Sequence, residues 1–453
     1  MIDADVIASA VLEEFNKLPA KRKPSVRDNG LHEWVPMAGI VAKGPSGLKC
    51  VALATGMKCL PASKLPQANG VAIHDWHAEI LTIRAFNRFV LEECKRLALQ
   101  GDGVSQSEFI YRRTTAQHKD NEQQGTTNVW QGQPYAWRED VSLHMYCSEA
   151  PCGDASMELI MAAQDDTSPW EIPSPTPGDL PTQTPALAST DDTPLPGRAY
   201  FSQLGIVRRK PSRGDAPPSL SKSCSDKLAL KQVTSLLSSL TSTLVSPANA
   251  YLSTVVLPES QYSVAACSRC FFSSVADEGR MAPLLDTSVS AKLAGAGYTF
   301  REFRVETTRM EFAFSRRAIL PSSSTSASTE PTDTKTKKLI ASNLATSWTL
   351  NGPRDGEGLV GGVLQGRKQF DPRGASLVSR RKMWALAREV CSAMELEDDG
   401  EIKQALGSTD LAYDEIKDGS SLLAGRRRAK EEAKRVALKG WVRNTGDGSF
   451  KLE

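Results

Sequence analysis

Over the first 17 residues the apolar positions Val6, Ile7, Ala10, Val11 and Phe15 fall at helical intervals, which predicts an amphipathic helix over 3–17. Residues 48–54 form a short apolar run suited to a strand. From 77 to 99 the period is helical again, through Ile80, Ile83, Phe86, Val90, Cys94 and Leu97, with Asp75 placed to cap the start. A strand is predicted over 141–147, followed by a Pro151-led helix over 152–163. Further on come a helix over 228–244, a strand over 252–256, a helix over 383–394 and a last helix over 422–438. Strands alternating with helices imply an α/β sandwich.

Three polar stretches interrupt this pattern. Residues 164–197 hold eight prolines, six acids and no Lys or Arg, too little apolar surface to offset the ordering entropy, so a disordered insertion is expected. Residues 321–338 (PSSSTSASTEPTDTKTKK) are expected to form a second, and 112–134 a polar loop. Without repeats, the expectation is one domain over 1–453 carrying these insertions.

Composition is that of an ordinary globular chain, 40% hydrophobic and 24% charged. No run approaches the roughly 18–20 apolar residues of a membrane span. Asp3, Asp5, Glu13 and Glu14 occupy the N-terminus, so no secretory signal is expected. Nine cysteines, an odd number spread over this length, do not suggest a disulfide framework, and an intracellular compartment (nucleus or cytoplasm) is expected. A net charge of +2 says little, but its distribution says more: basic clusters stand at Arg208–Arg213, at Arg380–Lys382 and at 426–439. Each is either a solvated face or a local site for a polyanion.

The chemistry-bearing residues share one design. His77, Cys152 and Cys224 each stand at an expected helix start, and one His with two Cys suits a catalytic zinc with its fourth position left for water. Helix N-termini lower thiol pKa, so both cysteines are expected to bind as thiolates. Zinc makes such a water acidic enough to supply hydroxide near neutral pH. Glu79, two residues from His77, is better placed to shuttle the proton of that water than to bind metal. The order H-x-E then P-C-x-x-C marks zinc nucleobase deaminases. The first half matches here, but after Pro151-Cys152 no cysteine follows within the helix and the next available one is Cys224.

That departure, together with the blocks DWHAEI (75–80), PCGDAS (151–156) and SCSDK (223–227), resembles the adenosine deaminases acting on RNA. RRKPSRGD (208–215), GVLQGRKQ (362–369) and GWVRN (440–444) are similar to the tRNA-acting branch of that family. The likeness covers nearly the whole chain outside the two low-complexity insertions. It implies a cytidine-deaminase-like α/β fold, a mixed sheet flanked by helices and elaborated by a C-terminal helical region. It also implies zinc on His77, Cys152 and Cys224, with Glu79 catalytic. An inositol hexakisphosphate buried behind the active site is implied too, in a shell at Arg84, Lys227, Arg380, Lys417, Arg426 and Trp441. After Lys227, where relatives place a second basic residue, the chain reads Leu228-Ala229-Leu230, so Lys231 replaces it or one phosphate contact is missing. Many phosphates need many cations to be buried at tolerable cost. In RNA-editing relatives the loop equivalent to 208–215 fills the space of the flipped base. Asp215 sits near that position, and Arg208, Arg209, Lys210 and Arg213 are expected to grip RNA phosphate.

The function expected is hydrolytic deamination of adenosine to inosine in tRNA, next to the anticodon of tRNA-Ala, with no DNA or membrane partner. The stretch before the catalytic region is short for a double-stranded RNA-binding domain, which favours a compact folded RNA read by the deaminase domain itself. Rival readings are a messenger-RNA editor, a free-nucleoside deaminase and a non-catalytic RNA-binding subunit, the last disfavoured by the presence of Glu79. Cys267-Ser-Arg-Cys270 has C-x-x-C spacing without a partner pair, and a buried core role is expected. His74 and His144 are expected to be structural or to lie near the site, and His32 and His118 to lie in loops.

Overall fold

The computed structural model describes residues 2–100, 106–113, 132–163, 195–196, 203–210, 216–276, 278–320, 338–394, 400–408 and 410–452. The insertions expected at 164–197 and 321–338 fall almost wholly outside the described residues, as do Arg213, Asp215 and His118.

Eight strands form the central sheet: β1 (Met37–Gly44), β2 (Gly47–Thr55), β3 (Ser142–Cys147), β4 (Leu252–Pro258), β5 (Arg304–Thr308), β6 (Ala345–Thr349), β7 (Glu357–Val360) and β8 (Val363–Leu364). Their spatial order is β5-β4-β3-β1-β2-β6-β7-β8. β5, β4 and β3 are parallel, whereas β3–β1 and every pair from there to β8 are antiparallel. The mixed sheet with flanking helices is the α/β architecture expected.

Eight helices bear on the site: α1 (Ala4–Lys17), α2 (Ala78–Leu99), α3 (Met157–Ala162), α4 (Cys224–Thr234), α5 (Ser239–Leu244), α6 (Val264–Phe271), α7 (Arg380–Ala393) and α8 (Ala424–Val436). Both faces of the sheet are covered, which is why β1 from Met37 to Ala42 is buried at every position rather than alternating. On one face α1 sets Ile7, Val11 and Phe15 against Val41, Leu53 and Tyr146. The other face carries α2, α4, α7 and α8 around the larger core, with Phe86, Phe89, Trp137, Leu228 and Trp384.

Two expected helices differ. The span 228–244 is two helices, α4 and α5, broken at Ser235, whose φ is +58°. The carbonyls freed at the break are bound elsewhere. Lys231 donates to Leu236 and Leu237 (both 3.0 Å), Asn87 Nδ2 to Leu236 (2.9 Å), and Arg426 to Thr234 and Leu237 (2.7 and 2.5 Å). Apolar periodicity continues through 244, but these buried donors offer the carbonyls better partners than the next turn of helix. The span 152–163 is likewise shorter. Cys152 and Gly153 lie in a loop, a single 3₁₀ turn covers Asp154–Ser156, and α3 begins at Met157.

Candidate active site

Three segments far apart in sequence deliver the site. The loop after β2 brings His77 to the N-cap of α2, the loop after β3 carries Cys152, and Cys224 opens α4 behind its N-cap Ser223. Donor atoms of His77, Cys152 and Cys224 all lie within 4.8 Å of one another, and His77 Nδ1 stands 3.7 Å from Cys152 Sγ. Tetrahedral zinc with Zn–N near 2.0–2.1 Å and Zn–S near 2.3 Å sets its ligands about 3.5–3.8 Å apart, so this donor set fits the ion. Among the described residues it is the group of His, Cys, Asp and Glu that could hold a metal.

The two cysteine turns are bound directly to each other. Cys224 N–H donates to Cys152 Sγ (3.3 Å) and Ser225 N–H to the Cys152 carbonyl (3.1 Å). Ser225 Oγ lies 2.9 and 3.0 Å from the Pro151 and Cys152 carbonyls and accepts from Ala155 N–H (3.1 Å). Gly153 between them has φ +104°, and a Cβ there would stand 2.3 Å from Ser223 Oγ, so this position admits glycine alone. The thiols titrate as a pair. A hydrogen bond from Cys224 holds Cys152 well below the ordinary thiol range, while burial pushes Cys224 above it. Cys152 is therefore an acidic thiol because of its partner rather than because of a helix N-terminus.

Glu79 sits in the first turn of α2, 6% exposed, with Oε2 3.3 Å from Cys224 Sγ. Burial, then the charge of Cys152, raises its carboxyl above the usual range. A carboxyl held there, beside the ligand atoms, can both take and return a proton.

Asp75 differs from expectation. It makes no helix cap with the first-turn amides, and the one backbone N–H that reaches it among the described residues is that of His77, on Oδ1 (3.1 Å). Its main partners are Lys210 Nζ (2.8 and 3.1 Å), Lys227 Nζ and Ser221 Oγ (2.7 Å). Lys210 Nζ also reaches Cys224 Sγ at 3.2 Å. Burial works against the charge of Lys210, but Asp75 and both thiols outweigh it, and the ammonium is held well above its ordinary pKa. Likewise burial opposes the Asp75 carboxylate, and Lys210 and Lys227 outweigh it. Lys210 was expected at RNA phosphate; it faces inward instead, in contact with the Cys224 sulfur. Arg208 is also buried, with its backbone N–H on Asp226 and a guanidinium N–H on the Gln203 carbonyl. Arg209 is half-buried. No spacing rule marks which cations of a basic run turn inward; here Arg208, through its backbone N–H, and Lys210 find buried carboxylates in Asp226 and Asp75.

Lys227 continues the chain of contacts from Cys224 through Lys210 and Asp75 into a basic cavity. Two adjoining lobes of about 240 and 220 Å³ are lined jointly by Lys227, Arg380, Arg426, Lys430 and Trp441. Arg84, whose guanidinium donates to Val378 O (2.9 and 2.6 Å), faces one lobe, and Lys417 faces the other. All six positions singled out for a polyanion thus converge on one cavity, and Lys231 lines it too. Lys430 and Lys434, in the basic run of α8, join them. Burial first, then neighbouring cations, holds Lys417 down to about 8, Arg84 to about 10, and Lys231 and Lys430 well below the lysine range.

The remaining candidates are structural. His74 Nε2 meets Asp447 Oδ2 at 2.6 Å, tying the C-terminal segment to the loop that carries His77. His144 pairs with Ser142 (2.9 Å), and His32 begins a short strand. Cys267 and Cys270 are buried in α6. No helix among the described residues is long and apolar enough to cross a membrane.

Comparison with known proteins agrees with this geometry. Residues 52–445 match the model of the adenosine-deaminase (editase) domain. The tRNA-specific adenosine deaminase 1 of Schizosaccharomyces pombe is 33% identical over 397 residues, covering 87% of each chain. Its namesake in Saccharomyces cerevisiae is 33% identical over 52% of this chain and 53% of its own length. The double-stranded RNA-specific editase Adar of Drosophila melanogaster is 26% identical over 59% of this chain and 36% of its own. Glu79 lies with the His77, Cys152 and Cys224 donor set inside the matched span, and the chain belongs to the adenosine-deaminase (editase) family.

Proposed function

We propose that the protein is a zinc-dependent hydrolase that converts adenosine to inosine in tRNA, at the adenosine next to the anticodon of tRNA-Ala. The observation that carries the chemistry is the His77, Cys152 and Cys224 donor set with Glu79 buried against it. Similarity to the tRNA-specific relatives over most of the chain supports the substrate class. Zinc on these three residues supplies the Lewis acidity that lets water attack C6 of adenine near neutral pH. Glu79 takes one proton of that water and delivers it to the purine ring, then carries the proton of the new C6 hydroxyl to the amino group, which leaves as ammonia. Because C6 is shielded inside a base stack, the adenosine must be turned out to reach this site.

The basic cavity supports a second component, inositol hexakisphosphate. So many buried cations with few carboxylates among them repel one another, and a polyphosphate neutralises them together. Of the RNA-facing residues proposed at 208–215, Arg209 remains the described candidate.

An inosine assay on a tRNA-Ala transcript, comparing wild type with Glu79→Ala and measuring zinc in each, tests the reading. Expected are inosine at one position with wild type alone and about one zinc per chain in both. Zinc without inosine on any tRNA would move the substrate to another RNA. Folded protein that takes up no zinc would overturn the mechanism.

A further inference from the structure

The C-x-x-C pair of α6 is buried, and the arginine between its cysteines reaches the turn that carries Cys152. After α6 the chain folds back on itself. Arg280 N–H donates to the Arg269 carbonyl (3.0 Å), Arg280 Nε to the Cys270 carbonyl (2.9 Å), and Met281 N–H to the Phe272 carbonyl (3.3 Å). This hook presents two guanidinium groups on one support.

Each reaches a different cysteine turn. Arg269 donates to Asp154 Oδ2 (2.9 Å), to the Asp154 carbonyl (3.4 Å) and to Glu158 Oε1 (2.6 Å). Arg280 donates to Asp226 Oδ1 (2.7 Å). Asp154 stands two residues past Cys152, and Asp226 two residues past Cys224. Both carboxylates are buried, 1% and 0% exposed. Their other bonds come from uncharged donors: Asp154 accepts from Gly205 N–H (3.2 Å), and Asp226 from the backbone Arg208 N–H (2.9 Å) and Ser223 Oγ (2.6 Å). Two buried carboxylates, one in each turn, are tolerable in the interior only with cations fixed against them, and Arg269 and Arg280 supply one each.

We infer that Arg269 and Arg280 are positioning residues for the metal centre. Joined through the backbone of the α6 hook, they hold the Cys152 and Cys224 turns at the separation the ion requires. Neither touches a ligand atom; each acts through the carboxylate it holds. The inference rests on the reading of His77, Cys152 and Cys224 as the zinc ligands. Such outer partners commonly govern how tightly a metal is retained.

The test follows zinc release from the full-length protein into a chromogenic chelator, the absorption of the cobalt-substituted protein, and the thermal midpoint. The variants are Arg269→Met, Arg280→Met and the conservative Arg269→Lys and Arg280→Lys. Arg309→Ala, which removes an exposed pair with Glu259, is the control. The Met variants are expected to lose zinc about 10- to 100-fold faster than wild type and to shift the cobalt–thiolate bands. The Lys variants, which keep the charge but not the forked geometry, fall between, and they carry the test if a Met variant does not fold. A lowered midpoint with wild-type zinc release and cobalt spectrum would mean that the arginines only stabilise the fold, and would overturn the inference alone. Wild-type protein that binds neither zinc nor cobalt would overturn the metal reading and the inference with it.

Discussion

Lys210 places an ammonium 3.2 Å from the Cys224 sulfur, with 4% of its side chain exposed. A buried cation in contact with a thiol is tolerable only because Asp75 faces it from the other side. Lys210→Met fills the same space without the charge and leaves Asp75 to Lys227 and Ser221. The expected cost is about 3 kcal/mol in urea unfolding, and the double variant Lys210→Met/Asp75→Asn recovers part of it, because the buried carboxylate that has lost one of its two cations is then gone. A single variant within about 1 kcal/mol of wild type would show that the pair contributes little.

At the scale of elements, the break between α4 and α5 sets the shape of the basic cavity. Continuing the helix through Ser235 would withdraw the Thr234, Leu236 and Leu237 carbonyls from Lys231, Arg426 and Asn87. Asn87 sits at the centre of this arrangement. Its amide donates to Ile83 O (2.7 Å) and Leu236 O (2.9 Å), and its Oδ1 accepts from Ser238 N–H (2.5 Å). Asn87→Leu keeps the volume and removes all three bonds, taking from the Ser238 N–H its acceptor. About 2–4 kcal/mol of stability should be lost, with faster amide exchange at 235–238. Unchanged exchange there would mean that the break is held by Lys231 and Arg426 alone.

For the whole molecule, the cavity ties stability to pH and to anions. Burial and like charge hold Lys417 down to about 8 and Lys231 and Lys430 well below the ordinary lysine value of 10.5. Between the folded and unfolded values of Lys417 the unfolded chain binds more protons than the folded one, so stability rises with pH through that window. Above about pH 9 the buried thiols, with raised pKa values, begin to oppose the trend. Protein freed of polyanion should therefore gain thermal stability between about pH 8 and 9. Added inositol hexakisphosphate should raise the midpoint and flatten the rise, because bound phosphates keep the lysines protonated. A pH profile that is the same with and without the anion would sink the assignment of the cavity.

The pattern of apolar residues was enough to locate α1, β2, α2, β3, β4, α7 and α8 within a few residues, because the helices bury a periodic face and the strands, covered on both faces, stand out as short apolar runs. The zinc donor set was legible for a related reason: His, Glu and Cys in short ordered blocks carry their chemistry in residue type. Long-range partners were not written locally. That Asp75 holds two lysines rather than capping α2, that Lys210 and Arg208 point inward, and that the helix over 228–244 breaks at Ser235 all depend on groups more than a hundred residues away or on buried carbonyls awaiting donors. Residue type and order along the chain name the groups able to do the chemistry. The tertiary structure decided which charges are buried and what faces them, because the cost of burying a charge is set by its neighbours in space and not by its neighbours in the chain.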